Sequence, residues 1–225
     1  STGSAKAIIM QSGDKGVKAR AATLAAAARA LNSAGGGRAA RAPFSLAFLT
    51  DPRGPDPLLM AAALPAGTAL ILRDYADPQR ASRAAALAAC CAARGVLFLV
   101  AGDARLARAV SAAGVLLRAD QLDGAPAPRF DGLISASTHD AAQLAKAGRL
   151  GAHAAFLSPV FPTASHPGAA ALGPDAFRRL AQAAATPVLA LGGVDETSAA
   201  ALAGENVAGF GAIGAFAGAP GAGER

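Results

Sequence analysis

Eight short apolar runs alternate with alanine-rich helical stretches over about 180 residues, and this pattern predicts a compact (β/α)8 TIM barrel behind a basic, helical N-terminal extension. Three observations carry the prediction. The strand candidates number eight; polar residues (Asp51, Arg73, Asp103, Ser137 and Ser158) stand at their C-terminal ends; and no G-x-G-x-x-G follows the first strand, as it would in the alternative, a doubly wound open sheet. Each is an apolar run, which is how a parallel strand reads when helices cover one face and the second is packed.

The chain opens on an arm with helical periodicity over residues 17–31, followed by the glycine-rich linker NSAGGGRAARAP at 32–43. Two domains follow from this: residues 1–43 as extension and linker, and residues 44–225 as the barrel. Strand candidates are SLAFLTD, TALILRD, GVLFLVAGD, GVLLRAD, GLISAST, AAFLSPV, PVLALGG and AGFGAIG. Between them lie the helical patterns PLLMAAAL, PQRASRAAALAACCAARG, ARLARAVSAAG, HDAAQLAKAGRL, PDAFRRLAQAAA and ETSAAALAG. The fourth connection, ADQLDGAPAPRFD, holds Pro126 and Pro128 and reads as a loop or a minimal helix, and only a short tail follows the eighth strand.

The net charge of +6 belongs to the arm. Residues 1–43 contain Lys6, Lys15, Lys18, Arg20, Arg29, Arg38 and Arg41 against the single acid Asp14, so the remaining 14 basic and 14 acidic side chains cancel. The arm has no aromatic residue to stack on bases, so a solvated helix is expected and no nucleic-acid partner. No apolar run approaches the roughly 18–20 residues that span a bilayer, which excludes a membrane partner of that kind. The adjacent Cys90 and Cys91 sit in a helical pattern with no second pair, and read as small buried side chains in a reducing, cytoplasmic compartment.

Three groups of residues carry chemistry. LALGGV and GAIGAF end the last two strands with Gly192, Gly193, Gly211 and Gly214, where glycine lets backbone N–H groups approach an anion, a following short helix aims its dipole, and barrels of this class commonly hold phosphate. Arg73, Asp103, Asp120 and Ser137 stand at strand ends: an arginine can fork onto phosphate, an aspartate can hold a magnesium ion, and a serine can donate a hydrogen bond. The alternative for Asp103 is a cap on the helix that begins at Ala104. SPVFPTASHPG at 158–168 belongs to a connection of about 15 residues, longer than the usual two to six, and reads as a functional loop.

Together, STHD, SPVFPTASH, PVLALGG and GFGAIGAF, in that order over about residues 44–217, resemble the thiamin phosphate synthase (thiamine-phosphate pyrophosphorylase) family, whose relatives include the thiazole tautomerases. The resemblance implies a transferase of thiamin biosynthesis that couples hydroxymethylpyrimidine diphosphate to thiazole phosphate and releases diphosphate, with Mg2+ as cofactor. Its partners are then small-molecule phosphate and diphosphate substrates, and a homo-oligomer is left open.

The resemblance also assigns residues. Arg73 matches the arginine of a Q-x-R-x-K strand, with Ile71 and Tyr75 in place of its glutamine and lysine. Asp103 matches a metal aspartate, with Gly102 in place of the asparagine before it. Ser137, Thr163 and Ser165 match hydroxyls that contact diphosphate, and His166 replaces a lysine. Gly192, Gly193, Ile213 and Gly214 match the backbone that holds the thiazole phosphate. Where the family reads G-V-H-L-G-Q-x-D this chain has GVLLRADQ, so Leu116, Ala119 and Gln121 replace the histidine, the glutamine and a second metal aspartate, and Asp120 falls one position early. Arg118, Asp120 and His166 are the nearby groups that could compensate. Two alternatives stand beside the synthase: a tautomerase, in which His139 carries the proton, and a non-catalytic barrel that binds a thiazole or thiamin phosphate.

Overall fold

The computed structural model describes residues 2–123, 130–163 and 170–217. Eight parallel strands close on themselves in sequence order, β8 pairing with β1. They are β1 (Leu46–Leu49), β2 (Ala69–Leu72), β3 (Leu97–Ala101), β4 (Gly114–Leu117), β5 (Leu133–Thr138), β6 (Ala154–Leu157), β7 (Val188–Ala190) and β8 (Val207–Ala212).

Side chains alternate along each strand, which divides the apolar residues into two cores. The inner one fills the barrel with Ala47, Leu49, Ile71, Leu99, Leu116, Phe156 and Leu189, and Phe44 plugs its lower end, stacked at 6.2 Å on Phe156. The outer one sets Phe48, Leu70, Val100, Val115, Leu157 and Phe210 against the helices. Because the period is two, Arg73, Asp103, Arg118, Ser137 and Ser158 continue the inward-facing series beyond Ile71, Ala101, Leu116, Ser135 and Phe156.

The helices are α1 (Thr2–Ala34), α2 (Gly36–Ala39), α3 (Pro57–Ala63), α4 (Arg80–Ala92), α5 (Ala104–Ala109), α6 (Ala141–Arg149) and α7 (Gly173–Ala183). Aspartates start three of them: Asp56 accepts from the N–H groups of Leu58 and Leu59, Asp103 from those of Arg105 and Leu106, and Asp140 from that of Gln143. The fourth connection is a 3₁₀ turn, Ala119–Leu122, and the pattern ETSAAALAG yields only another, Ala199–Leu202. Cys91 is fully buried, and that burial, with Cys90 beside it, pushes its thiol up to about 12.

The N-terminal arm differs most from the expectation. It is one helix through Ala34, and its face Ala21, Leu24, Ala25, Ala28 and Leu31 is buried in the outer core rather than solvated. This helix packs against β8 and β1, the place an eighth helix would take, since β8 is followed by the 3₁₀ turn Gly214–Ala217. The supposed linker is part of the same joint. Asn206 donates its backbone N–H to Gly35 O at 2.7 Å, and Asn32 Nδ2 donates to Ala39 O and to Ala208 O at 3.0 and 3.2 Å. A Cβ at Gly35 would lie 2.3 Å from Val207 O, so only glycine permits this approach. The arm reads as solvated in the sequence because its buried stripe is mostly alanine, a weak hydrophobic signal next to seven cations.

Candidate functional site

A cavity of about 570 Å3 opens at the C-terminal ends of the strands, where this architecture gathers functional side chains. Leu191, Gly192 and Gly193 after β7 form one wall, and Ile213, Gly214 and Ala215 after β8 form the next. Arg73, Ser158 and Thr163 line the cavity as well, so of the residues expected in the site it brings together Arg73, Thr163, Gly192, Gly193, Ile213 and Gly214. An adjoining cavity of about 750 Å3 is lined by Thr50, Pro55, Asp74, Tyr75 and Arg83, and Asp51, Gly54 and Arg73 belong to both. The element after Gly214 is a four-residue 3₁₀ turn, too short for the helix dipole expected there.

The loop after β6 is held down as a continuation of the sheet. Val160 and Phe161 donate their N–H groups to Leu191 O and Gly192 O at 2.9 and 3.0 Å, and Leu172 and Gly173 return to Pro159 O and Val160 O. These four bonds bring Thr163 to the rim of the cavity. Gly193 has φ +66, and a Cβ there would meet Pro162 O at 2.7 Å, so the glycine pair is needed for the loop to lie this close to β7. Ser165 and His166 lie outside the described residues.

The corner between β2, β3 and β4 is built around arginine. Arg80 Nη2 donates to Ala101 O at 2.6 Å, and its Nη1 stands 3.7 Å from Asp103 Oδ2. Tyr75 packs between Arg80 and Arg118, whose guanidinium carbons lie 5.5 and 5.6 Å from the ring centre. Gly102 makes room for them: a Cβ there would sit 3.3 Å from Tyr75 Cε1 and 3.4 Å from Arg118 Cδ. Gln121 closes the corner, accepting from Arg118 N–H at 3.0 Å and donating to Gly102 O at 3.1 Å. Three of the replacements seen in the sequence, at 75, 102 and 121, therefore form one packed set with Arg118. Sequence reasoning missed Arg80, Arg20 and Arg53 as residues of this mouth; the signal for the first was its place at the start of the helix after β2, and the other two gave none.

Asp103 and Asp120 do not form a cation cradle. Asp103 Oδ1 caps α5 through two backbone N–H groups, at 3.0 and 2.9 Å. Both oxygens of Asp120 are held by the Arg118 guanidinium, at 2.9 and 2.5 Å, and that hydrogen bonding keeps its carboxyl below the usual range. Among the described residues no three His, Cys, Asp or Glu side chains converge as metal ligands. Asp120 is thus spent on Arg118, and Asp103 Oδ2, 3.7 Å from Arg80 Nη1, is the carboxylate oxygen of this pair left for a cation shared with substrate phosphates.

Ser137 lies at the end of β5, partly buried, opposite Phe156. His139 follows it, outside the cavity lining, and its Nδ1 lies 2.8 Å from Ser158 O. The Ser158 hydroxyl oxygen lies 3.4 Å from the same nitrogen, so both contacts tie His139 to the start of the loop after β6.

Two carboxylates at the rim are fixed. Asp51 is held below the usual range by hydrogen bonds from the Arg53 guanidinium and backbone N–H. Asp195 accepts from the N–H groups of Ser198 and Thr197 and from both hydroxyls, which lowers it from 3.8 to about 2. Since the folded-state value lies below the ordinary one, this stabilisation is complete above pH 3.8 and is lost as pH falls through about 2. Asp195→Ala is expected to melt lower than the unaltered protein at pH 7, with the difference shrinking between pH 3.8 and about 2 in paired thermal melts.

The closed parallel barrel with its cavity at the strand ends places the chain among the (β/α)8-barrel proteins. It matches the thiamine monophosphate synthase family over residues 47–216, and it belongs to that family. It is 40% identical over 144 residues to the thiamine-phosphate synthase of Chromobacterium violaceum, covering 60% of this chain and 69% of that one. It is 34% identical over 134 residues to the thiamine-phosphate synthase of Geobacillus kaustophilus, covering 58% and 61%. Among solved structures, the thiamine phosphate pyrophosphorylase of Pyrococcus furiosus superposes with a TM-score of 0.64 at 25% identity, over 80% of this chain and 91% of that one. The chain spans less than two thirds of the length of the first curated relatives it matches.

Proposed function

We propose that the protein couples a pyrimidinylmethyl diphosphate to a thiazole phosphate and releases diphosphate. The observation that carries this reading is a single cavity lined by the backbone at Gly192–Gly193 and Ile213–Gly214 and by the side chains of Arg73 and Thr163. Two anionic substrates can then be seated with their reacting atoms between them. Membership in the synthase family supports the same assignment.

In the reaction the C–O bond to diphosphate breaks with its electron pair leaving on oxygen. The thiazole nitrogen lone pair then forms the new C–N bond to the exposed methylene carbon. No proton is transferred, so the chain's contribution is alignment of the two substrates and donors aimed at the departing oxygen. Arg73 supplies a permanent positive charge there, with hydroxyls of Ser137 and Thr163 as neutral donors. The arginine and tyrosine corner stands beside this group, and Arg118 can exchange its exposed partner Asp120 for a phosphate oxygen.

Incubation of the purified protein with both substrates is expected to give thiamin phosphate and diphosphate in equal amounts. Absence of product, together with no calorimetric binding of either substrate, would overturn the reading.

A further inference from the structure

Arg20 is a residue of the N-terminal helix, yet it lines the same cavity as Gly193 and Gly214. Its Nε donates to Ala215 O at 2.8 Å, and its Nη1 forms an ion pair with Glu196. These two contacts reach the two walls of the cup, since Ala215 follows β8 and Glu196 follows β7. The side chains of Arg20 and Glu196 are each only 26% exposed, so the pair is held in place rather than waving in solvent. Among the described residues Arg20 Nη2 has no hydrogen-bond partner.

A guanidinium presents five N–H donors in a fixed plane, so fixing Nε and Nη1 fixes Nη2 as well. One carboxylate does not exhaust those donors, and among the described residues that line the cavity with Arg20 the acids are Asp51 and Asp195. Both of those are already engaged, Asp51 by Arg53 and Asp195 by Thr197 and Ser198.

We propose that Arg20 binds the phosphate group of the ligand seated at Gly193 and Gly214, so that the N-terminal helix contributes an anion-binding side chain to the site. This rests on the reading that a thiazole phosphate occupies that cavity. The ion pair with Glu196 aims the guanidinium, and the bond to Ala215 ties it to the turn that forms the wall. The ligand class is a phosphate monoester on a small apolar body, matched by the charge of Arg20 and by the apolar lining of Leu191, Val194 and Ile213.

Calorimetric titration with thiazole phosphate and with the dephosphorylated thiazole alcohol tests this. Arg20→Ala is expected to weaken thiazole phosphate binding about 10- to 100-fold, the range for loss of a charge-assisted hydrogen bond, and to leave binding of the alcohol unchanged. Arg20→Lys recovers part of the loss. In turnover the KM for the thiazole phosphate rises and the KM for the diphosphate substrate does not. Glu196→Gln separates ligand binding from scaffolding: it breaks the ion pair but keeps the Arg20 charge, so phosphate affinity is retained or improved. Equal losses in Arg20→Ala and Glu196→Gln, or equal losses for phosphate and alcohol, overturn the inference, as does undiminished phosphate binding in Arg20→Ala. A wild-type protein that binds no thiazole phosphate overturns the reading of the cavity itself, and the inference with it.

Discussion

Arg73→Ala is expected to slow diphosphate release about 10²- to 10³-fold while leaving the fold intact, the loss typical of removing one preorganised donor from a developing oxyanion. Arg73 follows β2 directly, and its backbone N–H donates to Thr50 Oγ1 at 2.8 Å, a bond that alanine keeps. Only the side chain is lost from the boundary between the two cavities. The loss is large because a guanidinium brings a permanent charge and a planar fork of donors to the departing oxygens, and alanine supplies neither. Arg73→Lys retains the charge without the fork and is expected to fall between the two. Single-turnover release of diphosphate, with circular dichroism as a check on folding, measures the effect. Unchanged release in Arg73→Ala would remove this residue from the reaction.

Gly193→Val is expected to cost about 3 kcal/mol of stability, combining roughly 1–2 for a side chain in left-handed backbone with roughly 1–3 for overpacking. The added Cβ would lie 2.7 Å from Pro162 O and 2.8 Å from Phe161 Cβ. Neither neighbour can give way cheaply, because Val160 and Phe161 are bonded to Leu191 O and Gly192 O. In a domain of this size the cost corresponds to a melting point lower by about 6–12 °C. The displaced loop carries Thr163 away from the cavity, so affinity for the diphosphate substrate falls in the same variant. A melting point equal to that of the unaltered protein would show that the loop and the glycine pair are not packed as described.

Much of the barrel was legible in the sequence because most of its strands are short, predominantly apolar runs such as ALIL, LFLVA and GVLL, and burial on both faces leaves few other readings. Strand ends were legible too, since Arg73 and Asp103 break those runs where the mouth begins. Helix lengths were less so. Runs of alanine carry helix propensity past the point where tertiary contacts stop, so the stretch after β3 reads as a longer helix than the six residues Ala104–Ala109 that form. In the site, the replaced residues were visible one by one as losses. Their joint meaning was not, because the contact of Tyr75 with Arg118 and Gly102 depends on three separate strand ends meeting. Arg20 could not be found from sequence at all: it lies 195 residues from Ala215, and nothing local marks it.

That separation bears on how the molecule is completed. Helix α1 is made before any strand it covers, and its most extensive packing, against β8, cannot form until the last strand exists. Contacts between such distant segments form late, because the intervening chain must first be ordered. Seated between Arg20 and Gly214, a phosphate ligand would act as a clasp between the first helix and the last turn. By mass action it would favour the closed barrel over one whose first helix has come away.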